Sequence, residues 1–277
     1  MPPTPRQPQH IVLYGERCSG TKYLQKVLET NFDCTFVNQP EHKHFFGHVD
    51  LSSFRDSLFV CIVRAPTPWL NSFYKKPWHL LPQNTNSVSA FLHSSVRSCG
   101  ERLANGTYSA TVGDNKPEIT ADRHMDTGRS YTSVLQLRSR KLRFVLDDLP
   151  QQGLRTVVVR YEDILNSFDA VLGVLRNCGL RIKYARPINI TTQISEVVSQ
   201  NGREAHQLVV TQIPVRRKIA PNDDPITPAV VIVHPDYDPA LEARLGYSAH
   251  STRDAGLGYY PMRPAIAAST ATSTVSV

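Results

Sequence analysis

The chain has 277 residues, 40% of them hydrophobic and 20% charged, long enough for one large α/β domain with a sizeable core. Its formal charge of +7 favours anionic partners, but no run of five cations occurs, which points to a local anion site and away from a nucleic-acid tract. Five cysteines without a CxxC pair exclude a disulfide framework or zinc motif, and no stretch nears ~20 apolar residues, so a soluble cytoplasmic protein with no metal and no membrane span is expected.

A polar, Pro-rich lead over residues 1–9 precedes an α/β domain expected over 10–250. Ile11 to Tyr14 reads as a buried strand, Gly15 to Gly20 as a turn, and Thr21 to Glu29 as a helix with apolar positions at Tyr23, Leu24, Val27 and Leu28. A loop entering a helix presents unpaired N–H groups and the positive end of the helix dipole, so it binds phosphate or sulfate with few side chains. A second short strand is expected over 31–37, and three histidines, His42, His44 and His48, follow within seven residues. In an extended segment His42, His44 and Phe46 would share one face.

Leu58 to Val63 reads as a strand buried on both faces, as in a parallel sheet. It ends at Arg64, at the carboxyl end of the strand, where open α/β sheets collect their ligands. A Pro-started helix follows, then a basic and aromatic loop with Lys75, Lys76, Trp78 and His79. A further helix is expected near Val88 to Arg102, and the weakly patterned stretch 105–127 is expected to be a lid or insertion. Tyr131 to Leu149 is the clearest helix, with Val134, Leu135, Leu142, Val145, Leu146 and Leu149 on one face and Arg and Lys on the other.

Leu154 to Val159 gives another strand, closing on Arg160-Tyr161-Glu162-Asp163, and an amphipathic helix runs to about Asn177. Beyond it come a strand-like Ile188 to Ile190, a basic cluster at Arg216, Arg217 and Lys218, an apolar Val230 to Val233, and a helix over 237–246. Residues 251–277 turn to Gly, Pro, Ala, Ser and Thr and are expected to form a disordered tail.

Gly15-x-x-x-x-Gly20-Thr21-Lys22 lies one transposition from the nucleotide-binding pattern GxxxxGK[ST]. In a nucleotide triphosphatase the Lys precedes the hydroxyl residue, so that the hydroxyl reaches Mg²⁺, and a second strand ends in an acid that holds the same metal. Here the strand 58–63 ends in Arg64, which pairs directly with anions. That favours a phosphorylated ligand bound without a metal over the rival enzyme reading, a P-loop kinase or NTPase; the rival non-enzyme reading is a nucleotide-binding module without turnover.

Three blocks, in order, resemble the sulfotransferase family, whose donor is 3′-phosphoadenosine 5′-phosphosulfate. Residues 14–24, with Ser19-Gly20-Thr21 opening a helix, are similar to the family's 5′-phosphosulfate loop. Arg64 with Ser72 eight residues on, then Phe73-Tyr74-Lys75-Lys76-Pro77, is similar to its 3′-phosphate motif. Arg160-Tyr161-Glu162-Asp163 resembles its strand ending in Tyr-Glu-Asp-Leu.

The resemblance implies a three-layer, P-loop-like α/β fold with a mostly parallel sheet of about four or five strands. It implies that Arg17, Cys18, Ser19, Gly20, Thr21, Lys22 and Tyr23 line the phosphosulfate, that Arg64 and Ser72 hold the 3′-phosphate, and that Arg216, Arg217 and Lys218 add a further contact. Many members carry Lys or Arg where this chain has Cys18, so Arg17 or Lys22 would supply the cation that stabilises the leaving bisphosphate. Glu41-His42-Lys43-His44-Phe45-Phe46 resembles the Lys-Glu-x-His-Phe-Phe segment of heparan-type members, which implies His44 as base or base partner, then His42, with His79 competing. The acceptor would be a small molecule or carbohydrate, and no metal would take part.

Overall fold

The computed structural model describes residues 7–8, 10–36, 42–81, 84–103, 116–190, 225–248 and 260–261. In chain order β1 (His10–Gly15) leads into α1 (Thr21–Asn31), β2 (Phe32–Asp33), β3 (Ser57–Val63) and α2 (Pro66–Lys75). α3 (Val88–His93) precedes α4 (Val134–Arg143), which continues through a π-helical turn, Phe144–Asp148, into α5 (Leu149–Gln151). β4 (Arg155–Arg160), α6 (Tyr161–Asn166), α7 (Phe168–Asn177), β5 (Arg181–Ile182), α8 (Pro228–Ile232), α9 (Pro239–Arg244) and β6 (Tyr260–Pro261) follow.

The apolar runs dictate the sheet. β1, β3 and β4 pair in parallel in that order, Ile11 beside Leu58 and Leu58 beside Arg155, and the two-residue β6 adds an antiparallel edge. Every residue of β3 is buried, as a central parallel strand requires. Alternation then assigns the faces: Val12, Tyr14, Phe59, Cys61 and Val63 pack on Leu142, Val145, Leu149 and Leu241, whereas Ile11, Leu13, Val60 and Ile62 pack on Leu24, Leu28, Val171 and Leu175. The result is an open three-stranded parallel sheet with helices on both faces. A third cluster around Trp69, Phe73, Phe91, Tyr131 and Leu135 carries α2, α3 and α4 together.

Several local expectations change. The 31–37 strand reduces to β2, antiparallel to β5, and a single parallel bridge from Phe36 to Ile11. Residues 42–46 are not extended: the Phe45 N–H donates to the His42 carbonyl at 2.8 Å and closes a turn. The turn frees Phe46 to stack on Tyr14, centroids 4.6 Å apart. The third helix stops at His93 because the backbone beyond Ser95 is recruited into bridges, Val96 to Tyr131 and Cys99 to Glu118. Ile188 forms no strand; its N–H and carbonyl are both taken by the Asn31 side chain. Of the stretch 105–127, residues 105–115 lie outside the described residues, and the rest buries Ile119 and Asp122.

Candidate functional site

The carboxyl ends of β1 and β3 face a tight loop over residues 16–20. Two of its residues adopt left-handed backbone, Cys18 at φ 63° and Gly20 at φ 99°. Gly20 immediately precedes α1, whose first-turn N–H groups have no side-chain cap; these are donors left for a ligand or solvent. A Cβ on Gly20 would stand 2.5 Å from the Tyr161 ring, so only glycine fits by either criterion. Gly20→Ala is therefore expected to cost about 1–3 kcal/mol from the backbone strain alone, read as a lower urea midpoint; unchanged unfolding would contradict the packed turn. The Ser19 hydroxyl is internal, donating to the Glu16 carbonyl at 2.7 Å, while Thr21 is buried and Lys22 exposed.

Arg64 reaches this loop from the end of β3. Its Nη1 donates to the Cys18 carbonyl at 3.2 Å, its guanidinium lies 4.9 Å over the Tyr161 ring, and its Nε is buried with no protein partner. Ser72, on α2, stands beside the Cys18 thiol, whose proton goes to the Lys76 carbonyl at 3.6 Å. Burial pushes that thiol above its ordinary range despite nearby cations, which makes it a poor nucleophile. Tyr23 meets Tyr161 edge-on at 6.3 Å. The loop, Arg64, Ser72 and Tyr23 thus meet around Cys18 and Tyr161.

Arg17 lies elsewhere. Its guanidinium is 2% exposed and donates to the Trp78 carbonyl at 3.1 Å, to Ser98 Oγ at 2.8 Å and to Asp122 Oδ2 at 2.7 Å, stacked 4.7 Å over Phe73. Its own carbonyl is held by Trp69 Nε1 at 2.7 Å. Beside it runs a second buried set: Arg138 donates to Glu16 at 2.7 Å, to Glu242 at 2.5 Å and to the Arg64 carbonyl at 2.8 Å. Lys141 donates to Asp122 at 2.7 Å and to the His44 carbonyl at 2.6 Å. The expected polar face of the fourth helix is therefore wrong for Arg138 and Lys141, which are buried because paired carboxylates await them. Sequence reading missed these two residues, Asp122 and Glu242, although Arg138 is spaced three and four residues from Leu135 and Leu142, on the apolar stripe.

The histidines gather around Phe45. The ring centroids of His42, His44 and His79 lie 5.0, 6.5 and 5.4 Å from that of Phe45, and His42 and His44 stand 5.2 Å apart. His44 Nδ1 is 2.7 Å from the Gly15 carbonyl, which only accepts, so Nδ1 carries the proton and Nε2 is the basic nitrogen. Gly15 N–H in turn donates to the Lys43 carbonyl at 3.0 Å, tying the histidine turn to the start of the 16–20 loop. Burial holds His42 and His79 down to about 4 and His44 well below its ordinary value, so all three are neutral at pH 7.

These shifts set a sign for acid stability. A histidine whose pKa falls on folding is protonated more readily in the unfolded chain, so its contribution is intact above about 6.5 and is lost as the pH falls toward 4. Glu16 opposes this, because burial pushes it up to about 7 and its protonation favours the folded chain as pH falls. Comparing wild type with His79→Asn isolates the histidine: the variant is expected to lose less stability between pH 7 and 5, and equal losses would contradict a buried neutral His79.

Arg216, Arg217 and Lys218 lie outside the described residues. Among the described residues no group of three His, Cys, Asp or Glu side chains is placed to hold a metal ion, and no helix is long and apolar enough to cross a membrane. Comparison with protein-family models, with curated proteins and with solved structures returns no match, and the reading of the site rests on its residues and their geometry.

Proposed function

We propose that the chain is a sulfotransferase of P-loop-like fold, moving a sulfuryl group from 3′-phosphoadenosine 5′-phosphosulfate to a hydroxyl or amine of a small molecule or carbohydrate. The observation that carries this reading is the meeting of Arg64, with its buried unpartnered Nε, and Ser72 at the loop that opens α1. That set suits a ligand with two separate anionic groups: uncapped helix N–H donors for one and an Arg–Ser pair for the other. β3 ends in a cation where a Mg²⁺-dependent triphosphatase has an acid, which speaks against the kinase reading.

When bound, the donor supplies an activated sulfuryl group. The protein's part is to hold and orient it, with Gly20, Thr21, Lys22 and Tyr23 presenting the start of α1 to the phosphosulfate. Arg17 is committed to Asp122, so Lys22, exposed on the first turn, takes the role of the cation beside the leaving group. His44 Nε2 receives the acceptor's proton, its tautomer fixed by Gly15, and neutral His42 and His79 keep the surroundings free of competing charge. Incubation with donor labelled in the sulfuryl group and a panel of sugars, phenols and amines tests the reading. Transfer that falls at least ~100-fold in His44→Gln is expected, and the absence of both transfer and donor breakdown with the wild type would overturn the reading.

A further inference from the structure

Two side chains of α4, three residues apart and one helical turn in separation, reach both the loop side and the histidine side of the site. Arg138 holds the loop through Glu16 and the end of β3 through the Arg64 carbonyl, anchored from behind by Glu242. Lys141 holds the His44 carbonyl and Asp122, and Asp122 fixes Arg17, whose guanidinium also holds the carbonyl preceding His79. The partners sit on separate segments from distant parts of the chain, and α4 contacts both the anion side and the histidine side.

We propose that Arg138 and Lys141 are positioning residues that register the two halves of the site, Arg138 setting the anion loop against Arg64 and Lys141 setting the histidine turn against Gly15. The inference rests on the sulfotransferase reading for what the two halves bind. Its structural content is a division of labour. Loss of the Arg138 arm lets the loop and Arg64 drift relative to each other, so two anionic groups at fixed separation no longer meet both at once. Loss of the Lys141 arm keeps the direct Glu16 and Arg64 contacts of Arg138 and releases the His44 backbone, so the His44 to Gly15 bond that selects the tautomer weakens.

The test uses the full chain, with Arg138→Lys, Glu16→Gln, Lys141→Met and Lys141→Arg. Binding of 3′,5′-bisphosphoadenosine is read by calorimetry well below each unfolding midpoint, and the ring-nitrogen signals of His44 by NMR without ligand. Arg138→Lys is expected to weaken bisphosphate binding about tenfold or more, and the near-isosteric Glu16→Gln about threefold, with His44 signals unchanged. Lys141→Met is expected to keep the affinity within about twofold while its His44 nitrogens move toward the tautomer average, and Lys141→Arg to restore them. Should the variants lose thermal stability but keep both wild-type affinity and wild-type His44 signals, α4 is only scaffolding and the inference fails. Wild type that ignores bisphosphate strikes the functional reading instead, and the Lys141 arm is still decided by the His44 signals.

Discussion

Asp122→Ala is expected to destabilise the fold by about 3–5 kcal/mol, the cost of removing one partner from a buried ion pair. Asp122 accepts from Arg17 and Lys141 at 2.7 Å each and from Ser98 at 2.5 Å, and the three ionised side chains are only 1–2% exposed. Although burial disfavours its charge, the two cations hold its carboxyl below the ordinary range, so it is ionised at neutral pH. Truncation strands two buried cations that have no water to turn to. For a chain of this size each kcal/mol moves the midpoint by about 2–4 °C, so a fall of roughly 6–20 °C is expected. Asp126→Ala supplies the contrast: its bond to Arg140 is at 57% exposure on the carboxylate, and a loss of no more than ~1 kcal/mol is expected. Equal, small losses in both variants would show that the buried network does not hold the loop.

Arg64→Ala has the largest expected effect on ligand binding. Each hydrogen bond to a charged group contributes about 1.5–3 kcal/mol, and Arg64 offers a buried Nε and the remaining face of its fork to the same anion. Affinity for 3′,5′-bisphosphoadenosine is therefore expected to fall at least ~100-fold. Ser72→Ala, which removes a single neutral donor, is expected to cost about tenfold. Because Arg64 is half-buried and its protein contacts are one carbonyl and the Tyr161 face, the variant should unfold close to wild type. Unaltered affinity in Arg64→Ala would mean that the anion site has been placed on the wrong strand.

The parts of the fold that were legible are those written in local chemistry. Ile11 to Tyr14, Leu58 to Val63 and Leu154 to Val159 are continuous apolar runs, and they became the three parallel strands. Arg64 at the end of β3 followed from where the apolar run stops and Ser72 from the resemblance to the 3′-phosphate motif, and the structure places both near Cys18. What was not legible depends on contacts between distant residues. Arg17 and Asp122 are 105 positions apart and Arg138 and Glu242 104 apart, so no window of sequence contains either pair. The apolar stripe did point at Arg138, but a charge there counts as a surface residue until its carboxylate is known. The histidine turn failed for the same reason. Alternation described an extended chain, whereas hydrogen bonds to Gly15 and the stacking of Phe46 on Tyr14 fold residues 42–46 back on themselves.

Arg17 and Lys22 were equal candidates for the cation that Cys18 displaces, and the geometry separates them: one is tied into the core, the other stands at the rim of the loop. The central claim remains that the loop, Arg64 and Ser72 form one metal-free site for a nucleotide carrying two separate phosphates. Calorimetric titration of the wild-type chain with 3′,5′-bisphosphoadenosine in the presence of a chelator, set beside ATP with Mg²⁺, tests it most directly. The account predicts binding of the bisphosphate at ~10 μM or tighter and at least tenfold weaker binding of ATP with Mg²⁺. Binding of ATP that requires Mg²⁺, with none of the bisphosphate, would contradict it.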